Sequence, residues 1–325
     1  MTNHQQIRLE SDDVPEDPDL LQHLRERFKR VLSNVEESAE RVGRDPSEVT
    51  LLPVTKTVPT EVLRVACALG YHDFAENRVQ ELRRKSEELA DLSPAWHLIG
   101  HLQTNKAGQA ARLASSVQSV DSLRIAEALS RAVSVPANEP TAETTRVTTA
   151  ESGYHQNRAG LRAQKGDQNP GHFVPNSERR APSPAKSPAP AGRGASSISS
   201  SPRWTKLTAP AGRGMEVLLE VNTSGEEAKY GLTPTQVPEI LDIAAGLSGL
   251  TVRGFMTMAP LTEDESVIRR TFADLRELRE RLAPQYEGDG VELTELSMGM
   301  SGDYQIAVEE GATIIRVGSA LFGPR

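Results

Sequence analysis

The sequence predicts an α/β chain folded as a single (β/α)8 TIM barrel, broken by one long disordered insertion. Three observations carry that expectation. Apolar strand-like runs and helical patterns alternate eight times once residues 134–214 are set aside. The strands are near-continuously apolar and the loops after them are short, as in a parallel sheet covered by helices. Eight such units in about 240 residues match the size of a barrel. A doubly wound open sheet is the runner-up. It has fewer strands and a glycine-rich first turn, whereas the first turn here is Lys56-Thr57-Val58-Pro59.

An amphipathic helix over 17–42 opens the chain. Strands are expected near 49–56, 72–77, 95–100, 115–121, 215–222, 250–258, 292–299 and 312–318. Helices are expected near 60–69, 78–90, 104–113, 122–132, 234–246, 265–283 and 301–310. The segments Glu81-Leu82-Arg83-Arg84-Lys85-Ser86-Glu87-Glu88-Leu89 and Phe272-Ala273-Asp274-Leu275-Arg276-Glu277-Leu278-Arg279 show the helical spacing of apolar residues between charges. The expected organisation is a flexible tail over 1–16, the first half of the barrel over 17–133, the insertion over 134–214 and the second half over 215–325.

The insertion differs in composition from the rest. It is rich in Pro, Ala, Ser, Gly and Arg, and Ala-Pro-Ala-Gly-Arg-Gly occurs at 189–194 and again at 209–214. It holds 11 Lys and Arg against 5 Asp and Glu, a charge of +6, which leaves −14 on the other 244 residues. Such a stretch cannot bury enough apolar surface to offset its ordering entropy. It falls between the fourth barrel helix and the fifth strand, on the N-terminal face of a barrel, away from the face where barrel sites lie.

The net charge of −8 argues against a general nucleic-acid binder, with the basic insertion as a weak exception. The one cysteine, Cys67, excludes an intrachain disulfide and suits a reducing compartment. It sits in an amphipathic helical pattern and reads as a small core residue. The first residues are polar and acidic, and no run of 18 apolar residues occurs anywhere. The expectation is a cytoplasmic, monomeric protein with no membrane association.

In a barrel the chemistry collects at the C-terminal ends of the strands. Lys56 follows the apolar run Val49-Thr50-Leu51-Leu52-Pro53-Val54-Thr55. Partial desolvation there lowers a lysine's pKa and frees its amine to attack a carbonyl, so Lys56 is a candidate Schiff-base residue. A solvated strand flank is the plainer reading of the same residue. Asn77, His97, Asp121, Asn222, Met256, Ser301 and Arg316 stand at the other strand ends. Gly299-Met300-Ser301-Gly302-Asp303 leads into a helix and Gly318-Ser319 follows the last strand, so both turns read as anion sites for a phosphorylated aldehyde. Ordinary N-capping by Ser301 is the alternative. His97 and His101 raise the question of a metal, but no further ligand stands at suitable spacing, and no metal is expected.

Five segments in order carry a resemblance: Leu51-Leu52-Pro53-Val54-Thr55-Lys56-Thr57, Phe74-Ala75-Glu76-Asn77-Arg78-Val79-Gln80-Glu81, Trp96-His97-Leu98-Ile99-Gly100-His101-Leu102-Gln103-Thr104-Asn105-Lys106, Leu296-Ser297-Met298-Gly299-Met300-Ser301-Gly302-Asp303 and Arg316-Val317-Gly318-Ser319-Ala320-Leu321-Phe322-Gly323. The chain resembles the pyridoxal phosphate homeostasis proteins, the YggS/PROSC type, over nearly all of its length outside the insertion and the tail. The resemblance implies a barrel like the N-terminal domain of alanine racemase, with pyridoxal 5′-phosphate (PLP) on Lys56. It implies that Asn77 flanks the ring or its hydroxyl, that Ser301, Gly318 and Ser319 hold the phosphate and that Arg316 faces the pyridine nitrogen. His97 and Met256, at their strand ends, complete the expected cofactor-binding set. Pro53, Thr55 and Ala75 depart from the family pattern, which usually has a small residue, Ser or a similar residue, and Gly at these places. Pro53 removes a ladder donor, so a bulge or shift is expected in the first strand, and Ala75 is expected to tighten the space beside the ring.

The resemblance further implies a PLP carrier that serves vitamin B6 homeostasis and supplies PLP-dependent client enzymes. Racemases of this barrel type add a β-domain, which is not expected here, and an arginine at the pyridine nitrogen is expected to make a poor electron sink. Efficient turnover is therefore not expected. A slow amino-acid racemase or lyase that uses Lys56 as its base is the competing reading.

Overall fold

The computed structural model describes residues 17–134, 214–226, 230–286 and 290–324. The expected tail and nearly all of the expected insertion lie outside these residues.

The opening helix α1 (Pro18–Arg41) starts where Asp17 accepts the Leu20 N–H at 2.9 Å, with Pro18 at its first position. Its stripe of Leu24, Phe28, Val31, Val35 and Ala39 recurs every three or four residues and is buried. Phe28 packs on Tyr71 at 3.9 Å between ring centroids and meets Phe322 edge-on at 6.0 Å. Asn34 Nδ2 donates to Tyr304 Oη at 2.7 Å. These contacts seat α1 against both the first and the last βα units.

Eight strands follow: β1 (Thr50–Pro53), β2 (Asp73–Glu76), β3 (Ala95–Leu98), β4 (Ser116–Val120), β5 (Met215–Glu220), β6 (Leu250–Met256), β7 (Val291–Ser297) and β8 (Ile314–Val317). Helices α2 (Thr60–Ala68), α3 (Val79–Glu88), α4 (Ala107–Leu113), α5 (Leu123–Ser134), α6 (Val237–Ala244), α7 (Glu265–Leu282) and α8 (Tyr304–Glu309) alternate with them. A single turn, α9 (Ser319–Phe322), follows β8. All pairings are parallel, in the order β1-β8-β7-β6-β5-β4-β3-β2. One bridge, Val54 to Ala75, joins the two ends of that order and closes the ring. The eight-stranded expectation holds, with every strand shorter than its apolar run.

Alternation along the strands separates two apolar layers. Leu52, Val54, Ala75, Leu218, Met256 and Ile314 fill the interior. The outward strand residues, among them Leu51, Phe74, Trp96, Leu98 and Phe255, pack with the helices. By this parity Leu52, Val54 and Lys56 point inward while Leu51, Pro53 and Thr55 point outward.

Pro53 does not bulge or shift β1. Thr50 to Pro53 pair in unbroken register with Ile314 to Val317. The reason is which edge the missing donor faces. Thr50 and Val54 donate to β8, at Thr313 O and Val317 O, whereas Thr55 donates to Ala75 O of β2. Pro53 shares the parity of Thr55, so its missing N–H falls on the β1–β2 seam. That seam is where the ring is held by a single bridge. The register breaks lie elsewhere, in β4–β5, β5–β6 and β6–β7.

Candidate cofactor site

A cavity of about 400 Å³ opens at the C-terminal ends of the strands, within the size range of small-molecule sites. Val54 and Ile99 form part of its apolar wall, with Met258 and Met300 at the rim. Lys56, Asn77, Ser301, Gly302, Arg316, Gly318 and Ser319 supply the polar groups. Six of the eight residues expected from the sequence are therefore brought together.

Two are not. His97 is fully buried and does not line the cavity; it hydrogen-bonds Ser116 Oγ at 2.7 Å and Asp73 Oδ1 at 3.1 Å. It pairs in register with Ser116, the first residue of β4. Strands in a barrel are staggered, so a residue near the end of β3 sits level with the start of β4, below the mouth. Met256 is packed in the interior layer, and Met258, two residues on and at the same parity, lines the cavity instead. Ala75 is likewise an interior residue and does not line the cavity. Val54, Ile99 and Met258 were not expected as site residues, whereas Met300 and Gly302 fall within the turn expected to bind an anion. Period-two counting from Lys56, Asn77 and Met256 would have found Val54 and Met258.

Lys56 sits in the turn after β1, half-buried, and the next residue, Thr57, has a φ of 66°. Asn77 follows β2, and its Oδ1 is buried without a hydrogen-bond partner. Gly100 fixes it from behind: a Cβ there would lie 2.2 Å from the Asn77 carbonyl oxygen.

The turn after β7 does not follow the alternative reading of Ser301 as an N-cap. Gly299 has a φ of 93°, and Arg316 N–H donates to its carbonyl at 2.9 Å. The Met300 N–H is taken by the Asp303 carboxylate. Ser301 Oγ accepts from Gly318 N and Ala320 N, each at 3.2 Å. Ser301 thus bridges to the turn after β8 and does not cap α8. Two backbone amides converge on one oxygen there, and Gly302 beside them has open space where a Cβ would lie.

Arg316 points inward from β8 and is 3% exposed. It donates to Ser297 Oγ and to Thr257 O, both at 2.8 Å. Burial pulls its pKa down to about 10, against the pull of Asp303 and Glu220, so it remains a cation at neutral pH. Glu220, at the end of β5, is pushed up to about 7 by burial and by Asp121, with Arg316 opposing. Burial also raises Asp303. On the same face His101 pairs with Asp121 at 2.9 Å and stacks on Tyr230 at 4.1 Å. Among the described residues no group of three or more His, Cys, Asp or Glu stands together as a metal site.

The donor set suits a phosphorylated aromatic aldehyde. An amine, an unsatisfied amide oxygen, a buried guanidinium and a cluster of hydroxyl and backbone donors surround one partly apolar cavity. The fold around it is that of the alanine racemase N-terminal barrel. The family profile described as "Alanine racemase, N-terminal domain" matches residues 194–325. Alanine racemase of Corynebacterium glutamicum is 13% identical, has a TM-score of 0.52 and shares the fold, with 94% of this chain covering 62% of it.

The chain belongs to the pyridoxal phosphate homeostasis protein family. The relative from Aquifex aeolicus that bears this name is 32% identical over 300 residues, covering 92% of this chain and 97% of that protein. The Pseudomonas aeruginosa relative is also 32% identical, over 92% and 95% of the two chains. PipY of Synechococcus elongatus, solved with PLP bound, is 29% identical with a TM-score of 0.58, covering 89% of this chain and all of that one.

Proposed function

We propose that this chain binds PLP at the mouth of its barrel and serves PLP homeostasis. The observation that carries the reading is the meeting of Lys56, Asn77, Ser301, Arg316, Gly318 and Ser319 around one cavity. Family membership and the PLP-bound relative support it. The working compartment in this reading is the cytoplasm, and the partners are enzymes that use the cofactor. Among the described residues no helix is long and apolar enough to cross a membrane.

When bound, PLP supplies an aldehyde that takes up an amine and a ring that can draw electrons from it. Lys56 offers that amine. Ser301 and the backbone of Gly302, Gly318 and Ser319 hold the phosphate end, because donors that converge on oxygen are an anion cradle. Asn77 presents its buried oxygen to a polar ring substituent. Arg316 has only protons to give and keeps them at neutral pH. Placed at a ring nitrogen, it donates a hydrogen bond and leaves that nitrogen unprotonated, which weakens the electron sink. The arrangement favours holding PLP over turning over amino acids.

The test is a PLP titration of the purified chain and of Lys56→Ala, followed by absorbance, with D- and L-amino acids then added. The reading expects a visible band in the wild type only, and no product. Sustained racemisation or cleavage at enzymatic rates would replace it with the enzyme reading.

A further inference from the structure

We infer that Lys85 and Glu76 form a positioning clamp behind the cofactor residues, holding Lys56 and Asn77 from outside the barrel wall. The inference rests on the proposed PLP site and adds two residues that do not line the cavity.

The observations begin with parity. Lys56 and Asn77 line the cavity, so their neighbours Thr55 and Glu76 face the helix layer. There Lys85 Nζ, from α3, donates to Thr55 O and to Glu76 Oε1, both at 2.6 Å. Thr55 Oγ1 donates to the same Glu76 oxygen at 2.7 Å. Lys85, Glu76 and Thr55 are each 0% exposed. One ammonium and one carboxylate therefore join the residue before Lys56 to the residue before Asn77.

The position of this pair matters. It sits on the β1–β2 seam, where one bridge closes the ring and Pro53 offers no N–H. Immediately above, Thr57 holds a left-handed φ of 66°, which a β-branched residue adopts only when its surroundings enforce it. Thr55 O accepts both from Val58 N, at 2.9 Å, and from Lys85, so the clamp grips the base of that strained turn.

A purely stabilising role is a poor account of it. A buried ion pair is weak grounds for stability because desolvation offsets its attraction. Glu76 also leaves Oε2 buried without a partner, a cost that a well-packed apolar pair would avoid. What the pair does supply is a fixed geometry for two inward side chains. The sequence did contain a signal: Lys85 stands on the buried stripe of α3 with Val79 and Leu82, where an apolar residue belongs.

The experiment compares Lys85→Met and Thr55→Val with the wild type and Lys56→Ala. It measures affinity for PLP and for pyridoxamine 5′-phosphate, which shares the ring and phosphate but has no aldehyde to engage Lys56. It also measures hydrogen exchange of residues 54–58 and 75–78 without ligand. Positioning predicts that Lys85→Met lowers the PLP-to-pyridoxamine phosphate affinity ratio about tenfold and speeds exchange in both segments. Thr55→Val should move both readouts the same way, less far, and decides the matter if Lys85→Met does not fold. An unchanged ratio in the folded variants, even with lowered thermal stability, overturns the inference. Wild-type PLP affinity in Lys56→Ala would instead overturn the cofactor reading beneath it.

Discussion

Replacing Glu220 with Gln should remove a pH dependence that the barrel interior imposes. Glu220 is 4% exposed. Burial and the nearby Asp121 push its pKa from the ordinary 4.5 to about 7, with Arg316 opposing. The folded chain thus holds this proton more tightly than the unfolded chain does. Between pH 4.5 and 7 the folded state carries more protons, so stability falls as pH rises and levels off above 7. At about 1.4 kcal/mol per tenfold in acidity, the loss from pH 5 to pH 8 is about 2–3 kcal/mol. For a barrel of this size that corresponds to about 4–12 °C in Tm. Thermal unfolding of wild type and Glu220→Gln, from pH 5 to 8, reads the effect directly. The wild type should lose ground to the variant across that window, and the gap should stop widening above pH 7. Parallel curves would refute the reasoning, because they would mean that ionised Glu220 is not penalised inside the barrel.

Two further outcomes follow from the packing and the turns. Phe28→Ala empties the place of a ring 1% exposed against Tyr71 and Phe322; denaturant unfolding should show a loss of about 3–5 kcal/mol with PLP affinity unchanged in the protein that remains folded. Gly299→Ala puts a Cβ 2.5 Å from Ala307 Cβ at a φ of 93°. It should cost about 1–3 kcal/mol and displace Ser301, so PLP titration should show weaker binding than the stability loss alone explains.

The barrel was readable because its physics is local and repeated. Each buried strand left an apolar run, and the longer helices left a period of three to four. Lys56, Asn77, Ser301, Arg316, Gly318 and Ser319 were readable because strand ends point to the mouth. His97 was not, because stagger sets a residue's height and the sequence does not show stagger; only the pairing of His97 with Ser116 does. Met256 was displaced by Met258 because the apolar run near 250–258 outlasts β6 by two residues. Pro53 was misjudged because the expectation considered the strand and not which edge its missing donor faced. The clamp joins Lys85 Nζ to the Thr55 carbonyl 30 positions away and to the Glu76 carboxylate 9 positions away; periodicity marks Lys85 as buried but does not record its partners. The turn α9, four residues long, is too short to leave a helical period.

Borohydride reduction of the PLP-loaded chain, followed by peptide mass mapping, tests the central claim most directly. The account predicts a pyridoxyl group on Lys56 and its absence from Lys56→Ala. A pyridoxyl group on another lysine in the wild type, or undiminished labelling of Lys56→Ala, would contradict it.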